Sequence, residues 1–384
     1  MKYAAILLVA AVCLCASAAR IGEPAVSLLR VPQGGIQPQA VEQDGVVHLI
    51  YFSGDPQKGD LYYVNSHDYG RTFSRPMRVN HTTGSAIAIG NIRGAQIAVG
   101  RNGRVHVAWN GSSAAEPRGP AGESPMLYSR LNRAGTVFEP ERNLIHTAYG
   151  LDGGGSLAAD SKGNVYVFWH APLVGQKGEA NRRVWMAKSS DDGRTFAPEV
   201  VAFPDATGAC GCCGMRAYAD AASNVYVLFR SATDVVNRDI WLLTSTDQGR
   251  SFHGADISKW KIGACVMSSA SLAPSPDGVL AAWETEKQTW FARIRPGTNI
   301  VSPPIAAPGS AVNRKYPVVA SNSRGETLFA WTEGTAWKRG GAVEWQVYDQ
   351  DGRPESAAGK ADGMPAWSLV AAFAKPDGGF VILY

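Results

Sequence analysis

One pattern returns along almost the whole chain, and nothing else in the sequence limits the fold as strongly. A short β-rich segment leads to a polar turn with Gly or Asn, then to an apolar strand ending in an aromatic residue. The apolar strands read His48-Leu49-Ile50-Tyr51-Phe52, His106-Val107-Ala108-Trp109, Tyr166-Val167-Phe168-Trp169 and Tyr226-Val227-Leu228-Phe229. They continue as Leu280-Ala281-Ala282-Trp283, Leu328-Phe329-Ala330-Trp331 and Phe380-Val381-Ile382-Leu383-Tyr384. These copies recur every fifty residues or so, roughly the length of a four-stranded propeller blade. A third strand, such as 61–65 or 184–188, and a fourth, such as 77–79, fit between them.

The last copy stops at Tyr384, before any outer strand, whereas segment 25–31 reads as a fourth strand with nothing before it. Pairing the two closes a ring and hides two open edges. The expectation is an all-β chain, a single β-propeller of four-stranded antiparallel blades over 20–384. It has seven blades, or six if one copy is not a true blade. The 11 Trp, 42 Gly and 22 Pro suit many short strands joined by tight turns.

Residues 1–19 read as a removable export signal. Lys2 precedes an apolar run from Ala4 to Leu14 that is too short to span a bilayer, and Ala16-Ser17-Ala18 fits the cleavage pattern. Neither Cys13 nor Cys15 follows a small residue, as a lipoprotein box requires. The expected destination is the periplasm or the extracellular space, with no membrane contact after signal removal. A net charge of only +4, with Lys and Arg dispersed, argues against a nucleic-acid partner.

Three blades carry a sharper turn after the third strand: Ser66-His67-Asp68-Tyr69-Gly70-Arg71-Thr72-Phe73, Ser189-Ser190-Asp191-Asp192-Gly193-Arg194-Thr195-Phe196 and Ser245-Thr246-Asp247-Gln248-Gly249-Arg250-Ser251-Phe252. Asp68, Asp191 and Asp247 can bond the backbone of their own turn, while Gly70, Gly193 and Gly249 supply positive φ. The pattern resembles the Asp-box, or bacterial neuraminidase repeat, of the sialidase superfamily of β-propellers. That resemblance implies the fold and a structural role for these aspartates; it does not imply an activity, because non-glycosidases of the family carry the repeat too. Strand direction puts these turns on the lower face. The loops before first strands and after second strands then share the upper face, around the central opening.

Sialidases of the family clamp the substrate carboxylate with three arginines and use a Tyr nucleophile activated by Glu, with an Asp as acid or base. The first arginine belongs to an Arg-Ile-Pro-like motif. The corresponding segment here is Gly35-Ile36-Gln37-Pro38-Gln39, and a neutral amide cannot replace a forked cation. Arg93, Arg216, Arg230 and Arg314 fall at upper-face positions. With Glu284, Tyr218 and Tyr316 they are the candidates for a rearranged catalytic set.

The loops entering blades four and five align as Gly208-Ala209-Cys210-Gly211-Cys212-Cys213-Gly214-Met215-Arg216 and Gly263-Ala264-Cys265-Val266-Met267-Ser268. The shared Gly-Ala-Cys places all four mature cysteines together beside the upper opening. Three readings compete there: disulfides stapling the two loops; a vicinal Cys212–Cys213 disulfide acting as a ligand platform; and a copper(I) or zinc site joined by Met215, Met267 and His170. Asn110, Arg230, Glu284 and Glu286, with Trp109, Trp169 and Trp283 nearby, suggest a polar and aromatic cup suited to a small polar ligand or glycan. The periodic placement of these tryptophans fits blade packing better than a ligand cup. Asn80-His81-Thr82 and Asn110-Gly111-Ser112 match the glycosylation sequon.

The sequence thus points to an exported propeller of unassigned activity that binds a glycan or soft metal through Cys210, Cys212, Cys213, Cys265, Arg216, His170 and Glu284, with no cofactor required. The alternative is a sialidase-type glycoside hydrolase with a rearranged clamp. A third reading is a scaffold that binds protein through its rims.

Overall fold

Apolar alternation with a period of two gives each second strand one face toward the preceding blade and one toward the next. Val107 and Trp109 pack with Ile50, Phe52 and Leu61 of blade one, whereas Ala108, between them, packs with Leu157, Val167 and Trp169 of blade three. The strand-ending residues Trp109, Trp169, Trp283 and Trp331 are all buried. Repeating this contact round the ring gives, among the described residues, seven sheets, six of four strands and one of three.

The computed structural model describes residues 25–310 and 313–384, so the expected export signal lies outside the described residues. Blade one consists of Ile36–Gln43, Val46–Asp55, Lys58–Ser66 and Met77–Arg78 in antiparallel order. The other five complete blades follow the same order in sequence. Their first strands, together with that of blade seven, surround a central channel of about 500 Å³. Among the described residues no helix is long and apolar enough to cross a membrane.

Ring closure differs from the expected fourth-strand pairing. Val26–Leu29 lies directly against Phe380–Leu383, in parallel register from Val26 opposite Phe380 to Leu29 opposite Leu383. It therefore takes the third position of a three-stranded blade whose inner strand is Ala371–Ala374. Among the described residues no other strand lies between the two, so Val26–Leu29 pairs along the edge of the second strand.

The three aspartate turns are built alike. Ser66 Oγ donates to Asp68 Oδ1 at 2.8 Å, and the amide and hydroxyl of Thr72 donate to the two oxygens at 2.8 and 2.6 Å. Asp191 receives the same bonds from Ser189 and Thr195, and Asp247 from Ser245 and Ser251. Gly193 sits at φ 74°, and a Cβ there would lie 1.8 Å from the Tyr128 hydroxyl, so both backbone and space require glycine. The Asp192 amide, in the same turn, bonds the Gly163 carbonyl of the hairpin between first and second strands. Both hairpins therefore share the lower face, opposite the cysteine loops.

Bonds from Thr72 hold the Asp68 carboxyl down at about 2. At Asp191 slight burial opposes ionisation, but the bonds from Thr195 override it and leave the group at about 2; Asp247 is lowered in the same way. Carboxylates depressed in the folded state add stability that is complete above their unfolded pKa of about 4 and vanishes as pH falls through about 2. The melting temperature should therefore fall between about pH 4 and pH 2. The D68N/D191N/D247N variant should melt lower at pH 7 and show a flatter acid limb in a calorimetric pH series; parallel acid limbs would contradict this account.

Candidate functional site

The upper end of the channel is roofed by the loops that enter first strands. Ile92, Tyr316 and Leu369 pack against one another there. A Cβ on Gly154 would fall 1.6 Å from the Ile92 carbonyl oxygen, which shows how closely these loops approach. Gln37, where the family resemblance calls for arginine, is buried at φ 52° in this roof. Its side-chain amide donates to the carbonyls of Trp367 at 2.7 Å and Ala88 at 2.5 Å. The glutamine ties three loops together.

The candidate arginines are separately engaged. Arg93 pairs with Asp152 at 2.7 Å and donates to the Ile89 carbonyl. Arg314 pairs with Glu333 at 2.9 Å and bonds the carbonyls of Ala307 and Pro308. Arg230 donates to Ser268 Oγ and to the carbonyls of Arg238 and Glu284, with its guanidinium 5.2 Å from the Trp260 ring centre. Arg216 lines the channel, where it bonds Gln96 and the Ala270 carbonyl, and burial lowers its pKa to about 10. Tyr218 lies two residues further along the same inner strand and stacks with Tyr226, away from the roof. These groups do not form one clamp.

Glu284, Lys315 and Tyr316 do come together. Glu284 is buried, with both carboxylate oxygens 3.5 Å from Lys315 Nζ. Lys315 also donates to the Val266 carbonyl of the cysteine loop. Burial raises the Glu284 pKa to about 7 despite Lys315 and Arg230. Tyr316 is raised by its own burial and, further, by Glu284 and Cys213.

The four cysteines converge, as their shared loop register implies. Cys212 and Cys265 form a disulfide between blades four and five. Cys210 and Cys213 are free and buried, with their sulfurs 2.8 Å apart; Cys210 Sγ also lies 3.6 Å from Cys212 Sγ. The stapling reading thus holds for one pair, and the vicinal Cys212–Cys213 bond does not form. Burial works against a Cys213 thiolate, but the Cys210 thiol, Arg230 and Ser268 outweigh it and hold its pKa down. The hydrogen bond to Cys213 and burial hold Cys210 up as a thiol.

His170 reaches the cluster only through its ring. Nε2 meets the Cys213 carbonyl at 3.3 Å and Nδ1 faces Arg182 at 3.2 Å, so both nitrogens are occupied. Met215 packs in the apolar layer of blades three and four, and Met267 is half-buried beside Gly90. Cys210, Cys212 and Cys213 keep their sulfurs within 4.8 Å of one another, and Cys210 and Cys213 are the free thiols of the group a soft metal would meet.

Trp109, Trp169 and Trp283 pack as blade core, as their periodic placement implies, and all three are buried. Trp337 was missed: it is 57% exposed in the loop after the second strand of blade six, and stands edge-on to Trp367 at 4.6 Å. Its position off the repeat register, inside Gly334-Thr335-Ala336-Trp337-Lys338-Arg339-Gly340, was the available signal. Asn80 and Asn110 are buried and hydrogen-bonded through their amides, so neither sequon presents an acceptor.

No protein-family model and no curated sequence matches the chain. Solved structures do. A Penicillium chrysogenum α-L-arabinanase complexed with arabinobiose aligns at 13% identity over 84% of this chain and 95% of its own, with TM-score 0.53. A Hadza microbial sialidase aligns at 14% identity, 83% of this chain and 69% of its own, with TM-score 0.51. A Dyadobacter fermentans protein of unknown function aligns at 13% identity, 88% and 97% coverage and TM-score 0.51. The fold is therefore of the seven-bladed propeller class that includes sialidases and arabinanases.

A carboxyl raised in the folded state holds a proton that the unfolded chain has already lost, so stability declines as pH rises from the unfolded pKa of about 4.5 to about 7, then levels. E284Q should escape this decline and gain up to roughly 3 kcal/mol over wild type across that window, seen in urea titrations at stepped pH. An unchanged difference from pH 5 to 8 would place the proton elsewhere.

Proposed function

We propose that this chain is an exported sialidase-like propeller that binds a small polar ligand, of glycan class, on its upper face. The observation that carries this reading is Trp337, exposed on the face where the loops converge and held by Trp367, whose carbonyl is bonded to Gln37. An exposed indole held by a second aromatic offers a flat apolar surface for a sugar ring, and the polar loop groups around the opening supply orientation. The arabinobiose held by the Penicillium arabinanase is in keeping with a sugar ligand. A soft metal is the second reading, favoured by the three sulfurs within 4.8 Å, with Cys210 and Cys213 as the thiols ready to ligate.

The sialidase alternative needs three arginines facing one carboxylate. The ion pairs and carbonyl bonds of Arg93, Arg230 and Arg314, and the channel position of Arg216, speak against it.

The test is calorimetric titration of the purified chain with sialylated, arabinan-derived and neutral oligosaccharides. One class should bind, and W337A should weaken it at least about tenfold, or 1.4 kcal/mol. An aryl sialoside should remain intact. Binding unchanged in W337A sinks the glycan site, hydrolysis lost in R230A restores the enzyme, and stoichiometric copper or zinc lost in C210S favours the metal.

A further inference from the structure

The sulfurs form a chain that runs from solvent to the interior. Cys265 is exposed, Cys212 half-buried, and Cys210 and Cys213 buried. Along that line lie the Cys212–Cys265 bond, a 3.6 Å contact from Cys212 to Cys210, and a 2.8 Å contact from Cys210 to Cys213. Thiol–disulfide exchange needs a thiolate in contact with a disulfide sulfur and a leaving thiol that can escape. Cys210 is in contact and Cys265 faces water.

The surroundings hold the two buried thiols in place. Arg230 donates two bonds to Ser268 Oγ, and that hydroxyl points at Cys213 Sγ from 3.9 Å. The Cys213 amide bonds the Cys210 carbonyl and the Cys210 amide bonds the Arg230 carbonyl, fixing both sulfurs on one turn. Glu179, paired with Arg238 at 2.7 Å, accepts from the Gly211 amide and braces the same turn from outside. Cys213 Sγ is therefore held 2.8 Å from Cys210 Sγ, within reach of the bond that would form between them.

We propose that this cluster is a thiol–disulfide exchange site that moves its disulfide from the exposed Cys212–Cys265 pair to the buried Cys210–Cys213 pair. Cys210 gives its proton to water as its Sγ attacks Cys212 Sγ; the Cys212–Cys265 bond breaks and Cys265 leaves as a thiolate, which takes a proton from water. Cys213 then gives its own proton to water and attacks Cys210 Sγ, and Cys212 leaves and is protonated in turn. One disulfide is lost and one gained, two protons leave Cys210 and Cys213, and two arrive at Cys212 and Cys265. No oxidant or reductant is consumed. The loop of blade five is freed from blade four, and two thiols stand at the upper surface, where an exported peptide or small-molecule disulfide can reach them.

The experiment treats the folded full-length mature chain with N-ethylmaleimide, quenches in acid and maps labels and bridges by peptide mass spectrometry. The expected pattern inverts the structure's own: label on Cys212 and Cys265, and a bridge between Cys210 and Cys213. C213A should label only Cys265 and at least about tenfold more slowly, and C210A should not label there at all, with near-ultraviolet circular dichroism confirming the fold of each. An intact Cys212–Cys265 bridge after prolonged exposure of wild type, or Cys265 labelling in C210A as fast as in wild type, overturns the proposal. Neither result bears on glycan binding at Trp337, so the two readings fail separately.

Discussion

The molecule depends on aromatic-ended strands packed between neighbouring sheets. Trp109, Trp169, Trp283 and Trp331 each close one seam of the ring, and each is buried. Truncating such a side chain to alanine typically costs about 3–5 kcal/mol, so a few seams carry much of the folded state's margin. Because a ring has no terminal blade, the last seam must be made by the two chain ends. The parallel contact of Val26–Leu29 with Phe380–Leu383 does this with only three strands.

Closing the ring divides the work between its faces. Short hairpins on the lower face satisfy their own polar groups, as the bonds around Asp68, Asp191 and Asp247 show. The upper loops are longer and fold over the channel, so they bury carbonyl groups that no neighbouring strand can pair. Buried carbonyls need donors, and an arginine brings five in a fixed fork. Arg93, Arg230 and Arg314 meet that need at Ile89, Arg238 and Glu284, and Ala307 and Pro308. Residues that look like a ligand clamp in sequence thereby become the struts of the roof.

The cysteine cluster sits where two of these loops cross. One disulfide ties the loops, and a second pair of thiols remains in contact with it. Burial alone would keep both thiols neutral; the hydrogen bond between them, with Arg230 and Ser268 behind Cys213, lowers Cys213 and raises Cys210. Glu284 shows the opposite balance nearby, since burial there outweighs Lys315. Proton affinity at this face is set by how completely each group leaves water and by which donor it keeps.

The sequence by itself determined the seven-bladed ring, the placement of the aspartate turns and the meeting of Cys210, Cys212, Cys213 and Cys265. All three follow from local periodicity and from residues at equal places in a repeat. It could not decide how Val26–Leu29 would pair, which cysteines would bond, or that Trp337 would face solvent. Those outcomes depend on distances across the ring, between loops whose order in sequence says nothing about their contacts. The arginines make the same point: their positions were legible, but their partners, a carboxylate for Arg93 and carbonyls for Arg230, exist only once the loops have folded over one another.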